Sequence, residues 1–192
     1  MLSRFIGRLG EKALLFYQLL KKSENFEWTA EAQTAFEDLK RLLSTPPVLV
    51  TLKEREPMLL YIAATNQVVS VALVVERAEE GKIHGVQRPV YYLSEVLSPT
   101  KQRYPHYQKL AYGVYYTARK LHHYFMSHPI SVVSEDPLSN ILNNPNATGR
   151  VSMWGIEVDP HDLTYVKATS IKSQVLPDFI AEWTEIDRKS VV

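Results

Sequence analysis

The feature that most constrains this chain is a change of hydrophobic period across Pro46-Pro47. Before it, apolar residues recur at helical spacing. After it, they come in short runs rich in β-branched residues. Residues 3–22 read as a first helix. Leu9, Leu14, Leu15, Leu19 and Leu20 supply its apolar face, and Lys21 and Lys22 suit the negative C-terminal end of its dipole. Thr29 is a good N-cap for a second helix, with Glu31 in the first turn and Ala32, Phe36, Leu39 and Leu43 along one stripe. Pro46-Pro47 ends that helix, because proline lacks the amide and has a fixed φ.

Residues 58–63 and 68–76 then read as strands, separated by the turn candidate Ala64-Thr65-Asn66-Gln67. Residues 77–88 are charged, contain Gly81 and Gly85, and read as a hairpin loop. Residues 89–94 are a third strand and 104–125 a long helix with Leu110, Val114, Leu121 and Phe125 on one stripe. Residues 130–134 are a fourth strand, 137–142 and 151–158 short helices, 163–166 a fifth strand and 176–183 a terminal helix. Three meandering strands followed by alternating helix and strand predict an α/β fold. It has one mixed five-stranded sheet with flanking helices, preceded by two helices.

About 45% of the 192 residues are apolar, with 7 Gly and 11 Pro, which is the composition of a globular protein. The absence of cysteine excludes disulfides and thiolate metal sites, and an intracellular setting, cytoplasmic or nuclear, is expected. A net charge of +1 selects no partner. No apolar run approaches the ~20 residues that span a bilayer, so no membrane is expected as a partner. The first 22 residues are amphipathic and basic, with Glu11 as their only carboxylate. This suits a helix with a solvated basic face, and it is also how a transit peptide looks.

Several segments, in order, resemble the junction between reverse transcriptase and ribonuclease H in gypsy-type LTR retrotransposons of plants. Leu2-Ser3-Arg4-Phe5-Ile6-Gly7-Arg8-Leu9-Gly10 with Leu19-Leu20-Lys21-Lys22 looks like the polymerase thumb. Phe26-Glu27-Trp28-Thr29, Ala35-Phe36, Leu39-Lys40 and Pro47-Val48-Leu49 are similar to the connecting segment. Pro89-Val90-Tyr91-Tyr92-Leu93-Ser94 and Arg103-Tyr104-Pro105 resemble the third strand and the start of the long helix. Ile171-Lys172-Ser173-Gln174 and Asp178-Phe179-Ile180-Ala181-Glu182-Trp183 look like the ending typical of grass elements. The resemblance implies thumb and connecting helices over residues 1–50, a ribonuclease H-like domain over 51–186 and a tail over 187–192.

It also implies a chemistry, because active members hold two Mg²⁺ about 4 Å apart with four carboxylates. The positions that match those carboxylates are Ala63 on the first strand, Leu110 in the long helix, Ser134 at the end of the fourth strand and Asp178 in the last helix. Only Asp178 keeps an acid, and an N-cap would also explain it. Glu135 is one residue along and would face away, and Asp136 lies beyond the strand end. No bound cofactor is therefore expected. His106, His122, His123 and His128 are close in sequence, but His122 and His123 point about 100° apart on a helix and have no neighbouring cysteine.

Residues 101–128 carry Lys101, Arg103, Lys109, Arg119 and Lys120, six tyrosines, four histidines and no acid. Cations interleaved with aromatics suit phosphate contact and base stacking. The same pattern suits an amphipathic helix whose tyrosines pack and whose cations are solvated. The expectation is a catalytically inactive, connection-type domain that supports RNA–DNA hybrid binding inside a polyprotein, with the rest of the reverse transcriptase as partner. The alternatives are a residual Mg²⁺-dependent ribonuclease H using Asp136 and Asp178, and a stand-alone interaction module.

Overall fold

The computed structural model of the chain describes residues 4–21, 26–44 and 49–168. The expected terminal helix, Asp178 and Pro46-Pro47 lie outside the described residues. In chain order the elements are α1 (Leu9–Lys12), α2 (Leu14–Lys21), α3 (Ala30–Ser44), β1 (Met58–Ala64), β2 (Val68–Arg77) and β3 (Val86–Val96). There follow α4 (Pro99–Gln102), α5 (His106–Lys120), α6 (His122–Ser127), β4 (Ile130–Val133), α7 (Leu138–Leu142), α8 (Gly149–Val158) and β5 (Thr164–Val166). One mixed five-stranded sheet has the order β3-β2-β1-β4-β5. β1 is antiparallel to β2 and parallel to β4, so the strand carrying Ala63 lies between those carrying Val71 and Val132.

The two faces of the sheet are distinct. Leu60, Val69, Val71, Leu73 and Val132 meet Leu110, Ala111, Val114, Leu121 and Phe125 of α5, α6 and their junction in the main core. Full burial of each such aliphatic chain stabilises by about 1.5–3 kcal/mol. The approach is close at Gly113, where a Cβ would stand 2.6 Å from Ile62 Cγ2. On the opposite face Tyr61, Ala72, Val74, Tyr92 and Val133 form a second cluster. There the Gly10 amide donates to Ser94 Oγ at 2.9 Å, which seats α1 against β2 and β3.

The structure departs from the sequence pattern at three boundaries. The first helix is broken at Ala13, and its two halves pack against different partners. α1 lies on the sheet, whereas Phe16 of α2 joins the ring cluster of Trp28 and Phe36 beside α3. The long helix begins at His106, since the residue before Pro105 is biased out of helical conformation, and it breaks at Leu121 (φ −116°, ψ 31°). The third strand starts at Val86, before Pro89. A bulge opposite Leu73 and Val74 accommodates the proline, and its carbonyl accepts the Val50 amide at 3.1 Å. Thr29 caps α3 as expected, its Oγ1 accepting the Ala32 amide at 3.2 Å.

Candidate nucleic-acid interface

α5 presents its sheet-facing stripe to the core and sets Tyr112, Tyr115, Tyr116, Arg119 and Lys120 toward α4 and α8. With Glu95, Lys101, Tyr104, Arg150 and Trp154 they line an open cleft of about 680 Å³. Its floor is aromatic. Trp154 lies 5.6 Å from Tyr112, 5.8 Å from Tyr104 and 5.9 Å from Tyr115 between ring centres. Its rim is cationic, and each cation sits over its own ring. Lys101 Nζ is 4.3 Å from the centre of Tyr112, Arg150 Cζ 4.2 Å from Tyr104, Arg119 Cζ 5.7 Å from Tyr115 and Lys120 Nζ 5.8 Å from Tyr116. Cation–π attraction holds the charged heads in place while leaving them hydrated on the outer side.

Glu95 is neutralised within this cleft. Lys101 Nζ donates to Glu95 Oε1 at 2.6 Å and to the Tyr112 hydroxyl at 2.5 Å, and that hydroxyl donates to Glu95 Oε2 at 2.7 Å. Burial, followed by the hydrogen bond to Glu95, holds the Tyr112 hydroxyl protonated well above the usual tyrosine range. Arg119 donates to the Tyr115 hydroxyl at 2.7 Å and lies 3.7 Å from Glu157 on the solvent side.

Of the five cations expected to contact phosphate, the structure brings Lys101, Arg119 and Lys120 together. Arg103 is exposed at the end of α4, outside the lining. Lys109 departs from the expectation. It shares a helical phase with Tyr116 and Lys120, but the β1–β2 turn covers it. Its side chain is buried with Nζ 3.4 Å from the Asn66 carbonyl oxygen, and burial lowers its pKa. Arg150 and Trp154 were missed because they come from α8, outside the acid-free segment. Their signal in the sequence was a single Arg and a single Trp four residues apart, one helical turn, on one face.

The positions matched to carboxylates are also placed. Ala63 is level with Ser70, on the sheet face opposite α5. Leu110 is 5% exposed and packs in the main core. Ser134 follows the end of β4, and its Oγ accepts the Asp136 amide at 3.0 Å. The parallel pairing sets the C-terminal ends of β1 and β4 side by side. Two Mg²⁺ need several oxygen ligands, whereas these three side chains offer one hydroxyl that is already engaged, so they do not fit the metal pair. Among the described residues no group of three or more His, Asp or Glu could hold a metal ion. The histidines diverge. His122 meets His161, His123 meets Tyr124, and His128 Nδ1 lies 3.1 Å from the Glu56 carbonyl oxygen.

Residues 28–132 match the family described as the RNase H-like domain found in reverse transcriptase. The chain belongs to this family. The RNase H-like chain is 26% identical over 141 residues to the Gag-Pol polyprotein of baboon endogenous virus (strain M7), covering 73% of itself and 8% of that protein. It is 30% identical over 129 residues to the Gag-Pol polyprotein of gibbon ape leukemia virus, covering 67% of itself and 7% of that protein. It therefore spans less than a tenth of the length of these curated relatives, which are mammalian retroviral polyproteins. Its fold is that of a foamy viral protease-reverse transcriptase solved with RNA/DNA hybrid, with a TM-score of 0.66, 19% identity and coverage of 93% of this chain and 24% of that one. A related foamy viral structure solved with double-stranded DNA gives a TM-score of 0.68 at 17% identity, covering 90% of this chain and 30% of that one. Among the described residues no helix is long and apolar enough to cross a membrane.

Proposed function

We propose that this RNase H-like domain is a non-catalytic, connection-type part of a retroelement polyprotein that holds RNA–DNA hybrid without cutting it. The observation that carries this reading is Leu110. The sheet and its helix are complete, yet the position that the family resemblance gives to a metal-binding carboxylate is a leucine buried in the core. Ala63 and Ser134 support it, since neither supplies a carboxylate. On this reading Asp178 is a vestige and no Mg²⁺ is bound.

The hybrid contacts come from the cationic rim, through Lys101, Arg119 and Lys120 with Arg103 beside them; Lys109 is left out because it is buried. Contacts of this kind neutralise phosphates and read no base sequence. The ordered segments quoted above support a finer origin, a gypsy-type element of grasses. In that setting residues 1–50 act as thumb and connecting helices, 51–186 as the ribonuclease H-like unit and 187–192 as a tail, with the rest of the reverse transcriptase as partner.

A fluorescence-anisotropy titration of the purified chain with labelled hybrids of unrelated sequence tests the reading. Weak, salt-sensitive binding that is equal across sequences is expected, with the RNA strand recovered intact. Absence of hybrid binding at low salt, or recovery of a cut RNA strand, overturns it.

A further inference from the structure

The cleft is better suited to an unpaired nucleotide than to the outside of a duplex. A duplex offers its phosphates to a rim, but its bases are stacked on one another and present only their edges. A floor of aromatic rings meets a base only after the base has left the stack, and base–aromatic stacking is how single strands are held without sequence preference. Here the half-buried Tyr104 and Tyr115 form such a floor, backed by the buried Trp154 of α8. The volume of about 680 Å³ lies within the range of roughly 300–1,000 Å³ typical of small-molecule sites.

The charges agree. Arg119, Lys120 and Arg150 are exposed at the rim, and the carboxylate of Glu95 inside the cleft is held by Lys101 and Tyr112 and so does not repel an incoming phosphate. Arg150 has a second use. Its guanidinium lies 4.2 Å over Tyr104, and a guanidinium plane backed by a ring is itself a stacking surface for a base.

We propose that the cleft between α4, α5 and α8 binds an unpaired nucleotide of a nucleic-acid strand, its base against Tyr104 and Tyr115, next to the buried Trp154, and its phosphate on Arg119, Lys120 and Arg150. This rests on the hybrid-binding reading, because hybrid contact is what delivers a strand to the domain. A strand end or a frayed nucleotide beside a hybrid is the occupant that the chemistry fits.

The test compares two anisotropy probes on the full 192-residue chain. One is a blunt RNA–DNA hybrid and the other is the same hybrid with a short single-stranded oligothymidine extension. Stacking of one base predicts that the extension tightens binding by roughly 5- to 150-fold. Arg150→Gln and Tyr104→Leu should each remove most of that gain. Arg150 is exposed, so its variant tests the cleft without disturbing the core. With Trp28→Phe and Trp183→Phe in place, Trp154 fluorescence should be quenched by the extended probe and not by the blunt one. Equal affinity for the two probes overturns the nucleotide site while leaving hybrid binding standing. Binding of the extended probe alone overturns hybrid binding while leaving the site standing. Binding of neither overturns both. Gain from the extension that survives in both variants places the strand elsewhere and also overturns the site, as would a cleft that seats a protein segment.

Discussion

Gly113 of α5 and Ile62 of β1 are packed so closely that a Cβ on the glycine would lie 2.6 Å from Ile62 Cγ2 and 3.1 Å from Val69 Cγ1. This contact sets the distance of the long helix from the central strand, and with it the burial of Leu110 one turn earlier. Alanine is the better helix former by about 1 kcal/mol, so the outcome at this site is decided by packing. Gly113→Ala should lower the unfolding free energy by about 1–3 kcal/mol, measured by denaturant titration. Gly155→Ala should cost at least as much, since its Cβ would lie 2.3 Å from the rigid Leu142 carbonyl oxygen. A stabilised Gly113→Ala variant would show that the helix can lift off the sheet.

Restoring a carboxylate at Leu110 should not restore a site. Leu110→Glu places an acid in an apolar core that offers it no partner, and it removes a buried aliphatic chain. A loss on the order of 3 kcal/mol is expected, and a shift of the chemical-denaturation midpoint measures it. A variant as stable as the parent would mean that the helix position opens onto water.

Much of this arrangement was legible in the sequence. The periods of residues 58–76 and 104–125 gave the central strands and the long helix, and the placement of Leu110, Val114 and Leu121 against the sheet follows from their helical phase. The exact ends were not legible, because they depend on tertiary partners. Val86 to Arg88 look like loop until Arg77 and Val75 are seen to pair with them beyond the bulge. The cleft was half legible. Its α5 side shows as tyrosines among cations, but Arg150 and Trp154 enter from α8, and the burial of Lys109 comes from Asn66, 43 residues away in sequence.

The salt dependence of hybrid binding separates rim from core. Each lost phosphate contact flattens the plot of log affinity against log salt by roughly 0.7–0.9. Replacing Lys101, Arg103, Arg119 and Lys120 together with Gln should lower both affinity and slope. Lys109→Gln should leave the slope unchanged and alter thermal stability instead. An unchanged slope in the fourfold variant would send attention to Arg4, Arg8, Lys21 and Lys22 near the N-terminus.

Acid should destabilise the fold in two separate windows. Arg77 grips Glu56 with hydrogen bonds of 2.7 and 2.8 Å, which, with the Lys53 amide, lowers the carboxyl pKa from 4.5 to about 2. A depressed carboxyl contributes stability above its unfolded pKa, and this contribution is lost as pH falls from about 4.5 toward 2. Burial, and then the nearby His122, lowers the His161 pKa below 6.5, and its Nδ1 is buried without a hydrogen-bond partner. The unfolded imidazole therefore takes up a proton that the folded one refuses, so stability also declines as pH falls below 6.5. Thermal midpoints across pH should show both declines, Glu56→Gln flattening the lower and His161→Gln the upper. Parallel curves for variant and parent would contradict the assignment.

The central claim is that the domain keeps the fold without the nuclease chemistry. Its most direct test is the rate at which the purified chain cuts the RNA strand of a labelled hybrid in Mg²⁺ and in Mn²⁺, followed by gel over hours alongside Asp178→Asn and Asp136→Asn. The account predicts no cleavage above the blank for the parent or for either variant. Hybrid-dependent cleavage by the parent that either substitution abolishes would contradict it.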